Sequence, residues 1–195
     1  MPKEAVRMPT ALENYSGDKA GQVFGTLGSF RKTPFSSVSI FFRQLGSKDS
    51  GRFYFAYDGI LGGPPVDVEE SNARGTVFVG RLPAGDYELF QINFFINRGQ
   101  FGTTTFSSRE EFSIPFKVEE GKSTYLGEFI AYHTTGKNFF GMTIPGGGYY
   151  VVADKSERDM TILSKKPEAN RTWPVLKSVV NPEALKLPYF QVSAE

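Results

Sequence analysis

The chain has 195 residues, with 22 basic residues, 21 acidic residues, one histidine and no cysteine. A net charge of +1 gives no overall electrostatic footprint for a polyanion, so nucleic acid is not an expected partner. Without cysteine the chain forms no disulfide and no thiolate metal site, and a single histidine excludes a zinc site built from several histidines. We therefore expect no metal and no cofactor.

The first 20 residues are polar and rich in turn-forming residues, which predicts a flexible tether over residues 1–20. The tether is either a native N-terminus or the stretch left after a secretory signal is removed, and the residues leave both open. Residues 21–155 contain eight β-type runs, which predict an all-β, antiparallel sandwich of about seven to nine strands. The runs are Gln22–Leu27, Ser37–Leu45, Arg52–Tyr57, Thr76–Leu82, Asp86–Ile96, Glu111–Val118, Ser123–Thr134 and Gly148–Ala153.

The segment GTVFVGRLPAGDYEL, residues 75–89, predicts two extended segments joined by a turn. Pro83 presets φ for an early turn position, and Gly85 is expected to adopt a positive φ. The spacing of Leu82 and Tyr87 predicts that both side chains face one core across this turn.

Two later strands contain irregularities. Within residues 86–96 the apolar set changes register at Leu89 and Phe90, so this run has a bulge there or is a central strand covered on both sides. Pro115 interrupts the run FSIPFKV and cannot donate to a ladder, which predicts an edge strand or a bulge.

The C-terminal part, residues 156–195, is predicted to be a short helix and an extended tail that pack on the sandwich. Ser156 is the expected N-cap, with Asp159 at the third helical position. Met160 and Leu163 share the apolar face of this helix.

Four segments of the sequence together resemble a known fold family. The motifs are GDYEL at residues 85–89, FKVEEGKSTYLGEF at 116–129, GQVFGTL at 21–27 and SERDMTILSKKPEA at 156–169. Together they resemble prealbumin-like β-sandwiches of the carboxypeptidase-regulatory type, as found in uncharacterised bacterial envelope lipoproteins. The resemblance implies a prealbumin- or immunoglobulin-like sandwich that is periplasmic or associated with the outer membrane. The lipid-bearing cysteine of those lipoproteins has no counterpart in this sequence.

Signals for catalysis are weak. His133, the single histidine, lies at the end of a predicted strand, where a structural or surface role is the simpler interpretation. GKST at residues 121–124 resembles the end of a phosphate-binding loop, but position 116, where that loop needs glycine, is Phe116. Ordinary turn residues explain this stretch, and no catalytic residue is predicted.

The aromatic content gives the sharper hypothesis for binding. The chain has 19 phenylalanines and nine tyrosines, which either fill the core or form a platform for a ligand. Two long loops, residues 59–75 and 97–110, are the natural places for a site. The candidate ligand-binding residues are Phe101, Phe106, His133, Tyr149 and Tyr150.

These patterns favour a non-enzymatic, envelope-associated sandwich with a structural or binding accessory role. Its expected partner is a protein or glycan of the cell envelope, and it would meet a membrane only through a lipid anchor. The alternative is a carbohydrate- or peptide-binding module that uses loops 59–75 and 97–110.

Overall fold

The computed structural model describes residues 6–7, 15–56, 64–179 and 186–193. The described chain is mostly β-strand, with one short α-helix and one 3-10 turn, Gly99–Phe101. The elements are β1 (Val6–Arg7), β2 (Ala20–Phe30), β3 (Ser37–Gln44), β4 (Ser50–Ala56), β5 (Val68–Glu69), β6 (Ala73–Pro83), β7 (Gly85–Asn97), β8 (Thr103–Ser107), β9 (Ile114–Val118), β10 (Ser123–Lys137), β11 (Thr143–Ala153), α1 (Ser156–Leu163), β12 (Val175–Lys177) and β13 (Phe190–Val192).

The strands form two sheets in a sandwich. The six-stranded sheet has the order β1-β4-β3-β7-β8, with β9 also paired to β7, and all its pairs are antiparallel. The seven-stranded sheet has the order β13-β11-β10-β2-β6-β5, with β12 also paired to β10. Three of its pairs are parallel, namely β2 with β10, β10 with β12 and β11 with β13. The predicted antiparallel sandwich is confirmed in its main features, but these three pairs depart from it, because long crossovers rather than hairpins bring the strands together.

Aromatic side chains from both sheets meet in one core. The Phe53 ring stacks on Phe42 at 4.7 Å within the six-stranded sheet and on Phe78 of the opposite sheet at 4.0 Å. All three side chains are fully buried, and burial of one such ring contributes about 1.5–3 kcal/mol. Most of the aromatic content therefore fills the core.

All eight predicted strands are present, and the described chain has five more. The additional strands β1, β5, β8, β12 and β13 have two to five residues each, too few for an alternation to be recognised. Val6 and Arg7, assigned to the flexible tether, instead pair with Phe53 and Arg52 at the edge of a sheet. Residues 1–5 and 8–14 of the predicted tether lie outside the described residues.

The connection between β6 and β7 takes the chain from one sheet to the other. Leu82 and Tyr87 both face the core with no exposed area, which confirms that part of the prediction. The Tyr87 hydroxyl donates a hydrogen bond of 2.9 Å to the Pro83 carbonyl, an arrangement like the tyrosine corner of β-sandwiches. Gly85 does not have a positive φ, so the predicted role of its backbone was wrong. The hydrogen bond from the buried Tyr87 therefore stabilises the connection between β6 and β7.

The two irregular strands are confirmed. In β7 the pairing with β3 shifts between Phe41 and Phe42, which leaves Phe90 as the extra residue of a bulge. Of the two open alternatives the bulge is therefore present. Among the described residues β9 pairs only with β7, so Pro115 lies on an edge strand and is exposed.

Helix α1 packs against the outer face of the seven-stranded sheet. Met160 and Leu163 contact an apolar cluster there, as predicted. The predicted N-cap is wrong by one residue, since the helix begins at Ser156 and Lys155 is the N-cap. The Ser156 backbone N–H donates to the Asp154 carboxylate at 3.0 Å. The tail beyond the helix joins the same sheet through β12 and β13.

Candidate functional site

The outer face of the six-stranded sheet contains a depression of about 270 Å³. Strand β3 alternates, so Val38 and Ile40 point into the core and the small side chains of Ser37 and Ser39 point outward. Two small residues on a central strand, with larger residues on both sides, leave a trough. We call it the sheet-face pocket, and it is lined by Ser37, Ser39, Arg52, Tyr54, Asn93, Phe95 and Thr105.

The strand register places the walls of this pocket. Ser39 lies opposite Tyr54 of β4 on one side and Asn93 of β7 on the other. The Arg52 guanidinium lies over the Tyr54 ring, 5.1 Å from its centroid. Tyr54 is only 8% exposed although its side chain lies on the outer face of the sheet, so the pocket has a well-packed aromatic wall.

The side chain of Asn93 contains a buried polar atom without a hydrogen-bond partner among the described residues. Its side-chain oxygen is buried and accepts no hydrogen bond within the described part of the chain. Leaving such an acceptor unpaired costs about 1–3 kcal/mol. No described residue therefore satisfies this acceptor.

The lining favours recognition over proton transfer. It offers three hydroxyl-bearing aliphatic residues, an amide, a guanidinium and two aromatic rings, and it includes no carboxylate and no imidazole. These groups donate and accept hydrogen bonds and pack against apolar faces.

The five predicted site residues do not converge on this pocket. Phe101 is 82% exposed in the turn after β7, whereas Phe106 is partly buried against the core. Tyr150 is fully buried and its hydroxyl donates to the Ser39 carbonyl at 3.3 Å, so it cannot contact a ligand. Of the loop 97–110, Thr105 reaches the pocket.

His133 and Tyr149 lie elsewhere. Tyr149 stacks on Tyr132 at 5.8 Å, and Tyr132 stacks on Phe30 at 5.0 Å, so these rings cover one another's faces. His133 lines a shallow depression of about 300 Å³ together with Lys32, Thr33, Pro34, Thr135, Thr143, Ile144 and Pro145. No group of three or more histidine, aspartate or glutamate residues that could hold a metal occurs in the described residues. Residues 59–63 of the other predicted binding loop lie outside them.

A buried charge network joins α1 to the sheet beneath it. Arg158 contacts Asp159 at 2.8 Å and Glu128 at 2.7 Å, while the Asp159 carboxylate also accepts hydrogen bonds from Thr26 at 2.8 Å and Tyr125 at 3.2 Å. Burial raises the pKa of both carboxyl groups, although Arg158 opposes this shift. Asp159 has no exposed area, and its hydrogen bonds to Thr26 and Tyr125 fix the helix on the sheet.

Sequence reasoning missed the residues of the sheet-face pocket. The detectable signal was the pair Ser37 and Ser39, two small polar residues at outward positions of an otherwise bulky strand. Comparison with protein-family models, curated proteins and solved structures finds no match for this chain. Within the described segments no helix has the length and apolar character needed to cross a membrane.

Proposed function

We propose that this chain is a non-enzymatic β-sandwich of the cell envelope whose sheet-face pocket binds a carbohydrate. The observation that supports a binding role is the buried, unpaired side-chain oxygen of Asn93 in a pocket lined by hydroxyl and aromatic groups. A ligand that presents a hydroxyl there supplies the missing donor.

The carbohydrate class follows from the mixture of groups. A sugar ring presents hydroxyls at its edge and C–H groups on its face, which suit the polar floor at Ser39 and Asn93 and the ring of Phe95. A volume of about 270 Å³ suits one compact polar unit better than an extended peptide. Binding of an extended peptide usually uses a sheet edge or a long groove.

The prealbumin-like type and the envelope location are part of the proposal. The motif GDYEL coincides with the tyrosine corner at Tyr87, a feature of β-sandwich domains. The resemblance of the quoted motifs to envelope lipoproteins supports a periplasmic or outer-membrane-associated protein with an accessory role. Cell fractionation tests the location, and recovery only with cytoplasmic markers would contradict it.

A glycan array that includes cell-wall fragments, followed by calorimetry on the hits, tests the binding role. Asn93→Leu removes the orphan acceptor and is expected to weaken binding by about 5- to 100-fold. Gln91→Leu, an outward-facing residue of the same strand outside the pocket, is the matched control and should leave binding unchanged. Ser39→Leu fills the floor and should abolish binding.

Two results would contradict the proposal. One is the absence of any glycan hit, and the other is equal glycan affinity in the wild type, Asn93→Leu and Ser39→Leu. A peptide array run in parallel covers the alternative function, since peptide hits lost in Ser39→Leu would assign the pocket to peptides.

A further inference from the structure

Strands β10 and β11 continue beyond the sandwich as a two-stranded ribbon. Strand β2 pairs with β10 only as far as Ala131, and β13 pairs with β11 only from Tyr150 onward. Between them, residues 133–148 pair with each other and with no other described strand. Residues 133–137 of β10 pair with residues 143–148 of β11, which include one extra residue at a bulge, and this ribbon is roughly 15 Å long. We call residues 138–142 its tip.

The tip exposes large apolar side chains. Phe139 is 98% exposed, Phe140 81% and Met142 58%, and the two rings contact each other edge to face at 5.6 Å. Phe101, at 82%, is the other strongly exposed phenylalanine of the described chain. The other described phenylalanines are buried or partly buried, so exposure here is a local property of the tip and its neighbourhood.

The topology places Phe101 and the tip at the same end of the sandwich. Strand β9 ends at Val118, opposite Gly85 at the start of β7, and leads directly into the start of β10. Strands β7 and β10 therefore begin at one end and finish at the other. Phe101 follows the end of β7, and the tip follows the end of β10.

Four backbone N–H groups of the tip donate hydrogen bonds within the tip itself. The Asn138 side-chain oxygen accepts hydrogen bonds from the N–H groups of Phe140, at 3.0 Å, and Met142, at 2.9 Å. The Asn138 N–H donates to the Met142 carbonyl, and Gly141, at φ +75°, donates to the Asn138 carbonyl. The loop is thus preformed, and these four N–H groups do not need water, which lowers the cost of entering an apolar medium.

The surroundings of the tip are basic. Lys32, Arg98 and Lys137 are exposed, and none of them makes an ion pair with a described residue. No aspartate or glutamate occurs in residues 132–149 or in 98–107. An apolar tip with a basic rim matches the chemistry of an anionic lipid surface, whose headgroups attract lysine and arginine.

We propose that the ribbon tip inserts into the interface of a bilayer that contains anionic lipids. A bilayer can surround a convex tip, whereas a stable protein interface needs about 800 Å² per partner. The three apolar side chains of the tip expose less than that, since one fully exposed aromatic ring offers about 150–250 Å². The contact is separate from the sheet-face pocket and does not depend on what that pocket binds.

Vesicle flotation with the full chain tests the proposal, using vesicles of phosphatidylcholine alone and vesicles mixed with phosphatidylglycerol. The wild type should float with the anionic vesicles, less so at high salt. Phe139→Ser combined with Phe140→Ser should reduce partitioning by roughly 100-fold or more, because two rings lose their apolar environment. Lys137→Glu should reduce it by roughly fivefold or more.

The matched control is Leu45→Ser combined with Val192→Ser, two apolar residues that are 49% and 55% exposed away from the tip. This control should bind vesicles like the wild type, and thermal unfolding should be unchanged in all variants. The proposal is overturned if the wild type binds neither vesicle or if the tip variant binds as well as the wild type. Self-association that the tip variant abolishes, without vesicle binding, would also overturn it and assign the tip to a second copy.

Discussion

The outer faces of the two sheets differ in whether their buried polar side chains have hydrogen-bond partners. On the seven-stranded sheet, Thr26 points outward under α1 and donates to Asp159, so both polar groups are paired and fully buried. On the six-stranded sheet, Asn93 also points outward, but its amide oxygen has no partner in the described chain. A helix covers the polar groups of one face, whereas Asn93 on the other face keeps an acceptor that no described residue satisfies.

This difference shows where binding can occur in an otherwise similar pair of sheets. We call the outer face of the seven-stranded sheet, under α1, the covered face, and the outer face of the six-stranded sheet the open face. The polar residues of the covered face contribute to stability, because removing any partner leaves a buried group unpaired. On the open face Arg43 and Glu88 form an ion pair of 2.6 Å outside the sheet-face pocket, whereas the buried side-chain oxygen of Asn93 makes no hydrogen bond with a described residue. Changes on the two faces should therefore separate stability from binding.

The largest effect is expected for Arg158→Met on the covered face. Without the guanidinium, the carboxylates of Glu128 and Asp159 are left uncompensated at 8% and 0% side-chain exposure. We expect a loss of about 2–4 kcal/mol in the free energy of unfolding, at the low end for a buried pair because Arg158 is partly exposed. Urea unfolding measures it, with Arg109→Met at an exposed position as control. A loss below about 0.5 kcal/mol would mean that the network does not hold the helix.

Thr26→Val keeps the β-branched shape and removes one hydrogen bond to Asp159. The expected loss is about 1–3 kcal/mol, since a buried carboxylate oxygen loses a donor. Thr105→Val makes the same change on the open face, where the residue is exposed, and should cost less than about 0.5 kcal/mol. Equal unfolding midpoints for the two variants would remove the distinction between the faces.

Glu128→Gln tests the electrostatics of the covered face through pH. Burial raises the pKa of Glu128 above 4.5, its ordinary value, so the folded state holds the proton more tightly than the unfolded state. The stability this provides is present below the ordinary pKa and is lost as the pH rises through the folded pKa. Glutamine mimics the protonated form, so the stability of the variant relative to the wild type should increase between about pH 4 and pH 7. Unfolding curves across this range measure the difference, and a decrease would reverse the assigned direction.

Asn93→Leu should have the smallest effect on stability. No hydrogen bond of the buried oxygen is lost, so the free energy of unfolding should be unchanged or rise by up to about 1 kcal/mol. Thermal unfolding beside Gln91→Leu checks this. A loss of more than about 1 kcal/mol would show that Asn93 serves the fold, and the open face would then resemble the covered one.

Particular residues show how far the sequence alone could lead. The sequence alone predicts the alternation at Val38 and Ile40 and the register change at Phe90, because each reflects a period of two along one strand. The sheet-face pocket could not be predicted from the sequence, because its walls come from four strands whose neighbours are set by pairing across the sheet. Tyr150 follows three glycines in the predicted strand and was a candidate ligand-binding residue, yet pairing of β11 with β10 and β13 buries it.

The amino-acid sequence by itself determined the β class, the positions of the eight main strands and the apolar face of α1, since these depend on local spacing and burial preference. Tertiary structure decided which strands lie side by side, and through that the parallel pairs, the tyrosine corner between the sheets and the sheet-face pocket. Contacts between residues distant along the chain, such as Thr26 with Asp159 or Ser39 with Asn93, depend on the whole packing arrangement. No local pattern specifies such contacts, because their energy is realised only when both sheets and the helix are in place.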